Sequence, residues 1–187
     1  DNVYARGKEK YTHKKVSFAK IKDSLPKPVW DNHKAETDCY YYAYKIAFQN
    51  IRKATKKNGF VADFIDAAFN GRTFMWDSCF MTQFGKFADR IFSFQHTLDN
   101  FYAKQHKDGF ICKEVDEKSG LDAYTRFDMS GTGPNIFAYF EWAYYLQFGD
   151  KERLKKIYAP LLAYRNWFKE NRTWKDGSYF SNGIGSG

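Results

Sequence analysis

The chain has little sulfur or imidazole chemistry to offer. Its three cysteines, Cys39, Cys79 and Cys112, are odd in number and stand in no CxxC or CxxH spacing, which excludes a zinc site and a disulfide framework of the usual spacing. The four histidines, His13, His33, His96 and His106, show no metal spacing, so they read as satisfied surface or core residues and no metal or cofactor is implied. Long hydrophobic runs are also missing. No segment is apolar for long enough to span a membrane or to form a signal-peptide core. The chain opens at Asp1 rather than Met, which is compatible with a removed export signal, and a periplasmic or secreted place is favoured over a cytoplasmic one. Nothing fixes an oligomeric state.

Aromatic residues are abundant: 19 Phe, 14 Tyr and 5 Trp in 187 residues. Such density suits either a very aromatic core or a wide cleft lined with rings, as sugar-binding clefts are. The formal charge is +8, which raises a nucleic-acid reading. Its distribution weakens that reading. Residues 1–30 hold Arg6, Lys8, Lys10, Lys14, Lys15, Lys20, Lys22 and Lys27 against Asp1, Glu9 and Asp23. This stretch reads as a basic arm or interdomain linker, and no nucleic-acid partner is expected.

From "LPKPVWDNH" (Leu25 to His33) onward the apolar pattern is helical, with two prolines setting an extended lead-in. The spacing predicts a helix over 38–54 that ends toward Gly59. A second stripe runs from Phe80 to Phe101, with a break at Gly85 to Asp89. "KDGF" is a turn, and residues 111–135 form a long irregular stretch of the kind that is usually functional. The segment 135–148, "NIFAYFEWAYYLQF", is apolar almost all round and predicts a helix buried on every side. Gly149 and Asp150 stop one helix and start the next. The following stripe runs from Leu154 to Phe168 with a kink or restart at Pro160. Tight links alternating with long loops predict an all-α fold, an α/α toroid ((α/α)6 barrel). Closing a ring of twelve helices takes more than ~250 residues, so the expectation is about half a toroid over residues 31–187.

The segments "LPKPVWDNH", "GRTFMWDSCF", "TLDNFYAKQHKDGFI", "TGPNIFAYFEWAYY" and "DGSYFSNGIGSG" together resemble the (α/α)6 catalytic domain of glycoside hydrolases related to family 63 processing α-glucosidases and to trehalases. The resemblance spans residues 25–187. It implies inverting hydrolysis of an α-glycosidic bond in a carbohydrate substrate. By the same resemblance Trp76 and Asp77 match a Trp-Asp pair that grips the sugar, and Asn100 matches an Asn of that pocket. Arg126 stands where a sugar-contacting arginine would be, in altered spacing. Arg72 lies near another family arginine in a different register, and Phe74 belongs to the same loop. The terminal "GIGSG" resembles the approach to the catalytic acid, so acid and base are expected beyond residue 187 and no catalytic residue is assigned within the chain.

Each assignment has a plainer alternative. Asp77 with Ser78 could cap a helix N-terminus, Trp76 could fill the core, and Asn100 and Arg126 could be structural. Asp108, Gly109 and Asp128 read as turn residues. Cys79 lies beside Asp77, but no histidine is placed by sequence to activate it as a nucleophile. "NRT" at Asn171 to Thr173 fits a glycosylation acceptor, which matters only in a eukaryotic secretory protein. Two functional alternatives stay open: a non-catalytic helical-repeat binding module with a basic arm, and a toroid lyase or epimerase.

Overall fold

The computed structural model describes residues 1–6 and 17–181. Two expectations fall on the remainder: the middle of the basic arm and the terminal "GIGSG" lie outside the described residues. The arm is tied to the body on both sides of that gap. Tyr4 is buried in the main core, Asn2 Nδ2 donates to the Tyr102 carbonyl at 2.8 Å, and Ile21 and Leu25 are buried in a second core.

After the short helix α1 (Phe18–Ile21), α2 (Lys34–Gln49) buries Tyr44, Ala47 and Phe48 against Phe84, Phe92 and Phe94. It stops five residues short of the expected end. Ile51 and Arg52 leave the helix as β1 (Ile51–Arg52) and pair antiparallel with β2 (Phe64–Ile65), setting Ile51 opposite Ile65. Two β-branched side chains facing across strands reward this departure. A second antiparallel pair joins β3 (Arg72–Phe74) to β4 (Glu114–Asp116), with Thr73 opposite Val115 and Phe74 opposite Glu114. Between them run α3 (Met75–Gly85) and α4 (His96–Ala103), and α5 (Phe137–Phe148) and α6 (Lys151–Asn171) complete the body.

The expected all-α toroid is therefore not found: the fold is mixed α/β. Only 49% of the described residues are helical, and the segments between helices do the work that neighbouring helices would do in a ring. Phe60, Val61 and Phe64 from the first long connection, and Phe110, Ile111 and Val115 from the second, are all buried in the main core with Phe101, Tyr102, Phe137, Tyr164 and Trp167. Connections that supply the core cannot be loops gathered at one mouth. Nor is α5 enclosed on every side. Phe137, Phe140, Glu141 and Tyr144 face inward, while Tyr139, Trp142, Leu146 and Phe148 are exposed.

Local punctuation follows the sequence more closely. Gly149 has φ 66° and its N–H donates to the Tyr145 carbonyl, and the Asp150 side chain accepts from Arg153 N at 2.9 Å. Gly85 ends α3, where a Cβ would lie 2.2 Å from Phe94 Cγ. The absence of a side chain lets the Phe94 ring lie against the end of the helix. Pro160 neither breaks nor restarts α6, which continues through it, and its carbonyl accepts from Gln105 Nε2 at 2.8 Å.

One buried charge cluster joins three helices. Arg153 Nε donates to Glu141 Oε2 at 2.7 Å, and its Nη2 donates to Glu141 Oε1 at 2.7 Å and Asp99 Oδ1 at 2.9 Å. Tyr102 Oη adds a bond to Glu141 Oε1 at 2.8 Å. Burial raises the Asp99 carboxyl to about 6, only partly opposed by Arg153. Since the folded value lies above the unfolded one, this group's stabilising contribution is full below about pH 4 and is lost as pH rises through about 6. Urea unfolding from pH 4 to 7 should therefore show an Asp99-dependent loss of up to about 3 kcal/mol that Asp99→Asn removes. Equal slopes in wild type and variant would refute the assignment.

Candidate functional site

β3 and the first turn of α3 form one continuous edge. Alternation along the strand turns Thr73 inward and leaves Arg72 and Phe74 half-buried on the outer face. The Met75 N–H donates to the Lys113 carbonyl at 2.7 Å, so α3 springs directly from the strand. Its N-cap is Phe74, with no side-chain cap bond. Asp77 is thus not the cap. It sits in the first helical turn, exposed and with no hydrogen-bond or ion-pair partner among the described residues, where the helix dipole favours a carboxylate. Trp76 is 37% exposed, and its ring lies 5.0 Å from Phe80, which in turn meets Phe140 at 4.9 Å. It is not core filler.

The neighbouring strand adds groups of opposite charge. Arg72 Nη1 donates to Glu114 Oε2 at 3.0 Å, and Lys113 Nζ lies 3.7 Å from Glu114 Oε1 and over the Tyr124 ring at 5.4 Å. Beyond Tyr124 the edge opens into a groove of about 750 Å³ lined by Lys104, His106, Asp122, Tyr124, Arg126 and Phe127 among others. His106 Nε2 and Asp122 Oδ2 are 2.6 Å apart there. Arg126 pairs with Asp108 at 3.4 Å and lies over the Phe127 ring. At the far end of β4, burial and the adjacent Asp66 push the Glu117 carboxyl upward, with Arg52 opposing both.

Among the residues expected at the site, Arg72, Phe74, Trp76 and Asp77 therefore share one exposed edge, and Arg126 lines the adjoining groove. Asn100 does not join them on the surface. It is 2% exposed, its Oδ1 accepts from Val61 N at 2.9 Å and Ala62 N at 3.0 Å, and its Nδ2 donates to the Ala62 carbonyl at 3.0 Å. The amide is spent on holding backbone. Cys79 is fully buried, and burial pushes its thiol well up, which disfavours the thiolate a nucleophile needs. Asp108 and Asp128 behave as turn residues, accepting from Phe110 N and Ser130 N.

No protein-family model, no curated protein and no solved structure matches this chain. The chemistry of the edge has to be read from its own side chains. The edge presents an unpaired carboxylate, a guanidinium with its own counter-ion and a half-exposed indole side by side. Among the described residues no group of three or more His, Cys, Asp or Glu is placed to hold a metal ion, and no helix is long and apolar enough to cross a membrane.

Glu114, Lys113, Tyr124 and the His106–Asp122 pair escape the sequence reading. Lys113 and Glu114 arrive with the start of β4, Asp122 and Tyr124 with the turn that returns beside it, and His106 from the turn after α4, and the only local signal is Val115 between charged neighbours. A strand of three residues is too short for that alternation to stand out.

Proposed function

We propose that this protein is a glycoside hydrolase of the inverting, α-glycosidic type whose β3–α3 edge grips the substrate sugar. What carries the reading is the adjacency of Trp76 and Asp77: an exposed ring and an unpaired carboxylate on consecutive residues, beside Arg72 and Glu114. A carboxylate accepts from two neighbouring sugar hydroxyls, and an indole packs on the C–H face of a pyranose. Arg72, already oriented by Glu114, can donate to a further oxygen. The resemblance of the five segments supplies the reaction class, which requires an acid and a base roughly 6.5–9.5 Å apart. Neither role is assigned here, so the test reads binding.

Calorimetric titration with maltotriose and with trehalose is expected to give saturable binding to at least one of them. Asp77→Asn should weaken it roughly tenfold, the worth of one charged hydrogen bond, with Trp76→Ala losing at least as much. Asp77 is exposed, so Asp77→Asn should hardly change thermal stability, whereas Trp76→Ala also loses the ring contact with Phe80 and is titrated well below its Tm. Affinity untouched by both substitutions, or no binding to either sugar, would remove the proposal.

A further inference from the structure

α5 and α6 leave between them a trough that the glycan edge does not use. Its volume is about 550 Å³, and its walls include Ala138 and Trp142 from α5 and Leu154, Ile157, Tyr158, Leu161 and Leu162 from α6. At Asn135 and Arg165 it meets a second hollow of about 430 Å³ that reaches Tyr179 and Phe180. Trp142 and Tyr158 are 52% and 66% exposed, so large rings stand in water along a concave apolar surface. Contiguous exposed apolar surface of this kind marks interaction sites.

Shape and charge together narrow the occupant. From Leu154 to Arg165 the α6 wall runs about three turns, roughly 16 Å, and both walls are helical ridges. An open trough of that form accepts the apolar face of a third helix. The outer stripe of α6, read at helical spacing, is Lys151, Lys155, Tyr158, Leu162, Arg165 and Lys169. Arg165 and Lys169 have no ion-pair partner among the described residues, and Lys155 is held only by exposed Glu152 at 2.6 Å. The one carboxylate on the trough floor, Glu141, is neutralised by Arg153. A second copy of this chain would oppose one cationic stripe to another, which costs energy. We propose that the α5–α6 trough is the docking site for an acidic amphipathic helix of a partner protein, with its apolar face on Trp142, Tyr158 and Leu162 and its carboxylates on Lys155, Arg165 and Lys169.

Two labelled helical peptides of about 18 residues test this, sharing leucines at i, i+3, i+4 and i+7 but flanked by Glu in one and by Lys in the other. Fluorescence anisotropy should show the Glu peptide binding at least about tenfold more tightly than the Lys peptide. Trp142→Ala and Leu162→Ser, both at exposed positions, should each weaken the Glu peptide by about tenfold, and Arg165→Glu should narrow or invert the preference. Equal affinity for the two peptides, or binding indifferent to Trp142→Ala, would overturn the proposal. So would a concentration-dependent dimer in sedimentation that Trp142→Ala disperses, since the face would then belong to a second copy. Sugar binding at Trp76 and Asp77 is measured separately, and its failure leaves this result unaffected.

Discussion

Replacing Arg153 by Ala is expected to lower the unfolding free energy by about 3–5 kcal/mol, the usual cost of breaking a buried ion pair by removing one partner. Glu141 is 1% exposed and Asp99 0%, so neither carboxylate can recover water when the guanidinium is gone. For a domain of this size the loss corresponds to a fall in Tm of roughly 10 °C. Lysine should rescue little, because one ammonium cannot reproduce the fork that spans both Glu141 oxygens and Asp99. Adding Asp99→Asn and Glu141→Gln to Arg153→Ala should restore part of the stability, since neutral amides cost less to bury than orphaned carboxylates. Urea denaturation of the single and triple variants measures this, and a loss under about 1 kcal/mol for the single variant would mean that the cluster is not dry. The cluster also matters for the surface. Glu141 is both its centre and the floor of the α5–α6 trough, so the same contacts that lock α4, α5 and α6 together fix the trough's width.

Helix boundaries were legible wherever a single residue decides them. Gly149 and Asp150 act through their own dihedrals and side chains, and Gly85 does so through the space it leaves for Phe94. The architecture was not legible, because its deciding contacts are made by segments too short to show a period. Two residues pair as β1 and β2, and three as β3 and β4; in β3–β4, Arg72 finds Glu114 42 residues away. Helical periodicity sees none of this, so Phe60, Phe64 and Phe110 fall outside every helical stripe although they are core. The apolar run of α5 misled for a related reason. Its sequence shows how much of the helix can be buried, whereas neighbours determine how much is, and here Tyr139, Trp142 and Leu146 stay more than half exposed. The candidate site divides along the same line. Arg72, Phe74, Trp76 and Asp77 form one local stretch and could be picked out together, but the counter-charge of Arg72, Glu114, arrives through strand register.

Asn100 is where a sequence expectation and the structure lead to opposite measurements. If its amide contacted a sugar, Asn100→Ala would weaken binding and leave the fold intact. The structure instead commits it to three backbone bonds, with the N–H groups of Val61 and Ala62 and the carbonyl of Ala62. These groups lie in a segment whose Phe60, Val61 and Phe64 side chains belong to the main core, so water cannot replace the lost partner without opening that core. At about 1–1.5 kcal/mol for each bond, Asn100→Ala should cost roughly 3–4 kcal/mol of stability. Asp at this position should be little better, because a carboxylate cannot donate to the Ala62 carbonyl and its charge would be buried without a cation. Hydrogen exchange should locate the damage, with protection at Val61 and Ala62 falling well before that of α6. A variant that unfolds like wild type but loses affinity for maltotriose or trehalose would return Asn100 to the sugar pocket. A variant that loses several kcal/mol, and still binds at low temperature while folded, would establish it as the clamp that holds the β1–β2 connection against α4.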